Sequence, residues 1–164
     1  SDVCSSDLAL GTQGIRTAPI PAYSATVSKS ALGASRQPIL SIRPGQLFNG
    51  RLFLSEAILR FMSAAATATK PVRFELVLNG TLNNSANFAT AGTGSTMLFD
   101  TSATSITGGQ TKLAFTLAKD GTFNSALPQL GEIFLTRFDT FSIVATPAAS
   151  NTDIDASISW FEDL

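Results

Sequence analysis

The chain has 164 residues, 11 Lys and Arg against 12 Asp and Glu, a formal net charge of −1 and no histidine. That absence rules out His-based triads, His metal sites and His acid–base catalysis within it. Only 14% of residues are charged, 44% are hydrophobic, and 12 Phe stand against one Trp and one Tyr; such a composition suits pleated, half-buried strands better than solvated helices.

Residues 1–8 read SDVCSSDL. This octapeptide resembles the conceptual translation of a sequencing-library adapter, which implies a shotgun or metagenomic assembly. On that reading Cys4, the sole cysteine, is not biological and reports no redox compartment. Residues 9–37 are rich in Ala, Ser, Gly, Thr and Pro, with Pro19 and Pro21 close together. Their apolar residues are small or isolated, so the expectation is a linker or extended N-terminal arm.

From Pro38 the pattern changes, and residues 38–164 are expected to form one domain. A domain of this size buries roughly 70% of its unfolded surface and needs no metal or disulfide to fold. Short apolar runs alternate with turn residues, as in a sandwich or barrel. Weak strands are expected at Ile39–Ile42 and Leu47–Leu54. Ser55–Ala68 is ambiguous: Ser55 is a good helix cap and Ile58, Phe61 and Met62 have helical spacing. A strand from Ala57 to Met62 followed by a small-residue loop is favoured because its surroundings are β.

The strongest strand is Val72–Asn79, with Val72, Phe74, Leu76 and Leu78 on one face and Arg73, Glu75 and Asn79 on the other. Asn79-Gly80 ends it as a turn. Thr96–Asp100 is weaker. Gln110–Ala118 points Leu113, Phe115 and Leu117 inward, and Asp120-Gly121 closes it. Glu132–Leu135 is weak. Thr140–Thr146 sets Phe141 and Ile143 against Thr140 and Ser142. Ile154–Phe161 sets Ile154, Ala156, Ile158 and Trp160 against Asp155, Ser157 and Ser159. The expected core is therefore built on Phe74, Leu76, Leu113, Phe115, Phe141, Ile143, Ile158 and Trp160.

Eight or nine strands with one apolar face each need a second sheet to cover them. The expected fold class is all-β: an antiparallel two-sheet β-sandwich, specifically jelly-roll-like, behind the N-terminal arm.

Charge is unevenly spread. Arg16, Lys29, Arg36, Arg43, Arg51, Arg60, Lys70 and Arg73 precede Phe74 with one acid among them, Glu56, whereas nine acids and three bases follow. These bases are spaced singly, without the concentrated potential that phosphate tracking needs. Nucleic acid is not an expected partner, and the two halves are expected to complement each other or a neighbouring subunit. No stretch approaches the ~20 apolar residues that span a bilayer, so membrane insertion is not expected either.

Gly92-Thr93-Gly94 and Gly108-Gly109 lack the context of phosphate loops and read as turns. The remaining catalytic candidates are carboxylates at strand ends: Asp100, Glu132, Asp139 and Glu162. A glycosidase needs two of them about 5 to 10 Å apart, but such acids more often accept from turn amides. Asp153 and Asp155 point one way along a strand yet make no calcium shell. Asn79-Gly80-Thr81 fits the glycosylation pattern, a tripeptide common by chance. Trp160 shares the parity of the core rather than that of a sugar-stacking platform. No catalytic residue, metal site or cofactor is expected.

Four stretches taken together carry a resemblance: IRPGQLFNGR from Ile42, KPVRFELVLNGTL from Lys70, FDTSATSITGGQ from Phe99, and DTFSIVATPAASNTDIDASISWFEDL from Asp139. In this order they resemble β-sandwich virion proteins of tailed bacteriophages, of head-decorating, neck and tail-fibre type. The most specific parts are the segment ending in Gly108-Gly109 and the terminal Ser159-Trp160 with Glu162. Arg137-Phe138-Asp139 departs from the pattern, where a Gly-Asp turn is usual. The resemblance implies a location in the phage particle and a structural or attachment role. It also implies other virion subunits as partners, a homo-oligomer such as a trimer, and contact with a host-surface glycan or protein; it carries over no functional residue. The alternative is a bacterial surface adhesin or extracellular carbohydrate-binding module.

Overall fold

The computed structural model describes residues 22–45, 47–48, 51–52, 56–127 and 133–163. The octapeptide with Cys4, the first part of the expected arm with Arg16, and Glu132 lie outside the described residues, as do parts of the Leu47–Leu54 strand. The strands are β1 (Ala22–Leu32), β2 (Gln37–Pro44), β3 (Leu47–Phe48), β4 (Arg51–Leu52), β5 (Glu56–Thr67), β6 (Val72–Leu78), β7 (Thr81–Leu82) and β8 (Ala89–Thr90). They continue with β9 (Met97–Asp100), β10 (Ile106–Thr107), β11 (Gln110–Leu117), β12 (Thr122–Ala126), β13 (Phe134–Leu135), β14 (Phe141–Pro147) and β15 (Thr152–Asp163).

One sheet runs β12-β5-β15-β1, with β13 also pairing β5, and the other runs β11-β6-β14-β2-β9-β8. Eight of these strands form the frame: β1, β2, β5, β6, β11, β12, β14 and β15. In this frame the first pairs with the last (β1 with β15) and the second with the seventh (β2 with β14). The third pairs with the sixth (β5 with β12) and the fourth with the fifth (β6 with β11). That is an antiparallel ribbon folded over on itself, the strand order of a jelly roll. The short strands decorate it. β7 and β10 form a ribbon of their own, and β8 and β9 widen the second sheet beside β2.

Period-two alternation decides which flank each strand buries. Val72, Phe74 and Leu76 of β6 are 0% exposed, and Phe141, Ile143, Ile158 and Trp160 are at most 1% exposed. Leu113 and Phe115 are only partly buried, because β11 is an edge strand, but both pack against this core. Phe115 stacks on Phe74 at 5.4 Å and on Phe123 of the opposite sheet at 4.0 Å, closing that side of the sandwich with aromatic rings.

Within the ambiguous segment Glu56–Thr67 proves to be one strand, so the small-residue loop expected after Met62 is strand as well, and a bulge explains the helical look. Ser159 pairs with Phe61 but Trp160 pairs with Leu59, leaving Arg60 as the extra residue. The inward parity shifts there from Ala57 and Leu59 to Met62, Ala64 and Ala66, which produces a three-residue spacing inside an extended chain. A second bulge, in β2, lets Ile39 and Leu40 both bury at 1% exposure.

The domain starts earlier than composition suggested. Ala22–Leu32 falls within the expected linker, yet it pairs along β15 from Phe161 to Thr152. Its inward residues are Tyr23, Ala25 and Val27, then Lys29, opposite Trp160, Ile158, Ala156 and Ile154. They bury little because β1 is a sheet edge. An inward charge such as Lys29 also discourages further strands from adding there. Burial pulls the Lys29 ammonium below its ordinary pKa, while the negative charge of Asp100 pushes it back up.

The outer flank of β6 is drier than an alternating pattern implies. Val77 joins Val144 and Ile106 in a second small core, with Leu82 packed against it. Glu75, expected on the solvent side, is 9% exposed; it pairs with Arg36 at 3.0 Å and Arg73 at 3.3 Å. Those pairs are one place where the basic first half meets the acidic second half. Gly109, at φ +85°, passes so close to Gly80 that a Cβ on it would sit 2.7 Å from the Gly80 nitrogen. Only glycine fits there.

Candidate functional site

Each expected carboxylate among the described residues (Asp100, Asp139 and Glu162) is held by its own set of hydrogen-bond donors. The Asp100 carboxylate accepts hydrogen bonds from the backbone N–H of Asn87 (2.8 Å), Ser102 (3.0 Å) and Ala103 (3.0 Å), and from the Ser102 hydroxyl. Burial by itself raises the Asp100 pKa, but these donors outweigh it and hold the carboxyl below the ordinary aspartate value. Asp139 accepts from the Asn79 amide (3.0 Å) and from the Thr136 backbone N–H (3.0 Å) and hydroxyl (2.9 Å). Burial raises its pKa too, and the Asn79 and Thr136 donors again bring the net shift down.

These depressed values set the sign of the acid response. A carboxyl whose folded pKa lies below its unfolded one contributes stability above the unfolded value, and that contribution disappears as pH falls through the folded one. Stability is therefore expected to decline from about pH 4 downward. Asp100→Asn should flatten this decline when melting temperature is followed from neutral pH into strong acid. An unchanged acid slope in that variant would rule out Asp100 as a source of it.

Glu162 lies on the buried face of β15 with Trp160, at 1% exposure. Its Oε1 accepts from the Thr96 backbone N–H (2.7 Å), the Thr96 hydroxyl (2.6 Å) and the Ser95 hydroxyl (3.1 Å). It thereby fixes the turn leading into β9. Among the described residues, Glu162 Oε2 and Trp160 Nε1 are buried without a hydrogen-bond partner. Asp153 accepts from the Ala31 backbone N–H at 2.9 Å, and Asp155 from the Ser28 hydroxyl, so both tie β15 to the edge strand. Among the described residues no group of three or more Cys, Asp or Glu is placed to hold a metal ion. No helix there is long and apolar enough to cross a membrane.

The feature that sequence reading did not assemble lies at one end of the second sheet, around Arg43. The Arg43 guanidinium lies 3.9 Å from the centre of the Phe88 ring. On one side of it is a depression of about 530 Å³ reaching Gly80, Asn87 and Thr140. On the other is one of about 480 Å³ reaching Leu98, Phe138 and Thr140. Phe138 is 73% exposed, and the Arg137 guanidinium lies 4.5 Å from its ring centre.

Among the described residues the ion pairs involve Arg36, Arg73 and Glu75, so neither Arg43 nor Arg137 has a carboxylate partner there. Asp139, which lines the second depression, spends its oxygens on Thr136 and Asn79. These side chains come from positions 43, 87–88 and 137–140 and share no local motif. The one trace in the sequence is Arg137-Phe138-Asp139, standing where the resembling proteins have a Gly-Asp turn.

Two other surfaces are notable. The outer face of the first sheet carries Phe61 and Phe134, each 42% exposed. Beside them a polar row runs across its strands from Thr26 through Ser157 and Ser63 to Asn124, with Ser63 and Ser157 hydrogen-bonded at 2.6 Å.

No family model matches the chain, and no curated protein does. A solved structure from Desmodium yellow mottle tymovirus is similar over 98% of this chain and 98% of its own, at 13% identity and a TM-score of 0.31. A superposition at that score carries no argument, and the fold stands on its own strand order. The structure named is not from a tailed phage.

Proposed function

We propose that the chain is a non-enzymatic structural or attachment module of a virion, in the tailed-phage setting implied by its sequence resemblance. It acts through contacts with other subunits and the host surface. The observation that carries this reading is where the resembling stretches fall in the jelly roll. FDTSATSITGGQ forms the Asp100-centred turn, the β10 ribbon and the close approach of Gly109 to Gly80. The terminal stretch supplies β14 and β15, with Trp160 in the core and Glu162 fixing the Ser95-Thr96 turn. The shared residues are thus framework, as suits a protein whose work is done by its shape and surface.

Exposed aromatic side chains such as Phe61 and Phe134 are what subunit contacts bury, and symmetric self-association is the usual outcome. Light scattering on the purified chain should return a homo-oligomer, with a trimer as the specific expectation, at micromolar concentration. Strictly monomeric behaviour with glycan binding would instead favour the adhesin or carbohydrate-binding alternative. The groove around Arg43 is the observation that keeps that second reading in play.

A further inference from the structure

We propose that the paired depressions around Arg43 form a binding site for an acidic saccharide. It extends the attachment half of the proposed function without depending on assembly. Size is the first argument: two depressions of about 530 and 480 Å³ sharing Arg43 and Thr140 are each in the range of small-molecule sites. Together they suit a short oligosaccharide.

Charge is the second. Arg43 and Arg137 present guanidinium groups that no described carboxylate occupies, and the planar fork of arginine matches a carboxylate or sulfate with two parallel hydrogen bonds. Among the described residues Asp139 is the acid that lines the site, and its oxygens are turned to Thr136 and Asn79.

Surface chemistry is the third. Phe138 is the most exposed of the large hydrophobic side chains described. A half-apolar sugar ring can cover such a ring, while Asn87 and Thr140 in the walls offer amide and hydroxyl groups to sugar hydroxyls. Phe88 already carries Arg43 on its face, which restrains the guanidinium of a residue that lines both depressions.

A nucleic-acid strand fits these observations less well. Phosphate tracking needs a run of cations, and base stacking needs several open aromatic faces. Here the cations are two arginines, Phe138 is the one strongly exposed ring of the groove, and a carboxylate stands beside them.

The test is calorimetric titration of the full chain with four probes: an oligogalacturonate, a sulfated oligosaccharide, a neutral galacto-oligosaccharide of matching length, and a short single-stranded oligodeoxynucleotide. At least one acidic sugar should bind, and the neutral one should bind roughly tenfold more weakly or less. Preference between the two acidic probes identifies carboxylate or sulfate as the recognised group. Arg43→Gln and Phe138→Ala should each weaken binding by about tenfold or more. Lys119→Ala, an exposed base on the β11–β12 turn, should leave it unchanged.

Melting curves check that each variant is folded; should Arg43→Gln fail to fold, the exposed Phe138→Ala and Arg137→Gln still decide. The proposal is overturned by silence with both acidic probes, by equal binding of the neutral one, by undiminished binding in the folded variants, or by tighter binding of the oligonucleotide. Because the titration needs no assembly, such a failure leaves the oligomer prediction standing, and a monomeric chain leaves this one standing.

Discussion

Trp160→Ala is expected to destabilise the domain by about 3 to 5 kcal/mol, the range for removing a fully enclosed large aromatic side chain. Trp160 is 0% exposed and heads the largest enclosed side chains of the core. It lies on β15 opposite Leu59 of β5 and Tyr23 of β1, so the vacated volume would open in the middle of the first sheet's inner face. Trp160→Phe is the informative companion. It keeps most of the apolar surface and removes the indole N–H, which is buried there without a partner. An orphaned donor of this kind costs about 1 to 3 kcal/mol, so its removal should offset much of the lost packing. Denaturant melts of the two variants separate the terms: equal losses would mean the N–H is satisfied in solution, and a negligible loss for alanine would place the side chain outside the core.

The second large effect is at Glu162. Alanine there strands the Thr96 N–H and two hydroxyls in a dry turn, with an expected cost of about 2 to 4 kcal/mol. Glutamine should fall between the parent and alanine. It keeps a carbonyl oxygen for Thr96 but sets an NH₂ group where Oε2 has no partner. Hydrogen exchange at Thr96 gives a local readout, since its backbone N–H lies 2.7 Å from the carboxylate. That amide should lose protection in the alanine variant more than in the glutamine one. Retained protection in Glu162→Ala would dismiss the carboxylate as the anchor of the turn.

Sequence reading worked where burial is one-sided and the side chains are large. β6, β11 and β15 each alternate in sequence across five or more positions and Thr140–Ile143 across four, and six of the eight expected core residues are at most 1% exposed, with Leu113 and Phe115 shielded from one side only. It missed β1 because an edge strand can bury residues as small as Ala25 and can turn Lys29 inward. It missed β12 because Phe123 is that strand's single large apolar side chain. The two-residue strands β7, β8 and β10 are shorter than any period.

The carboxylates were found as residues, and their usual role as acceptors for turn amides describes Asp100, Asp139 and Glu162 as they stand. The Arg43 groove was beyond reach for a different reason. Its parts come from β2, from the loop before β8 and from the turn before β14, and only the folded sheet brings them to one end.

The pairing of β15 has a consequence for synthesis. This strand is the last described along the chain, yet it occupies the middle of its sheet, hydrogen-bonded to β5 on one side and β1 on the other. Both neighbours leave the ribosome long before it; β5 can already pair with β12 on its far side, but among the described strands β1 has no lateral partner until β15 emerges. That sheet therefore has to be completed after translation has passed Asp163, from a chain that has meanwhile kept β1 unpaired and one edge of β5 open. Contacts so distant in sequence close slowly, and the interval before closure is when two nascent copies can most readily engage each other.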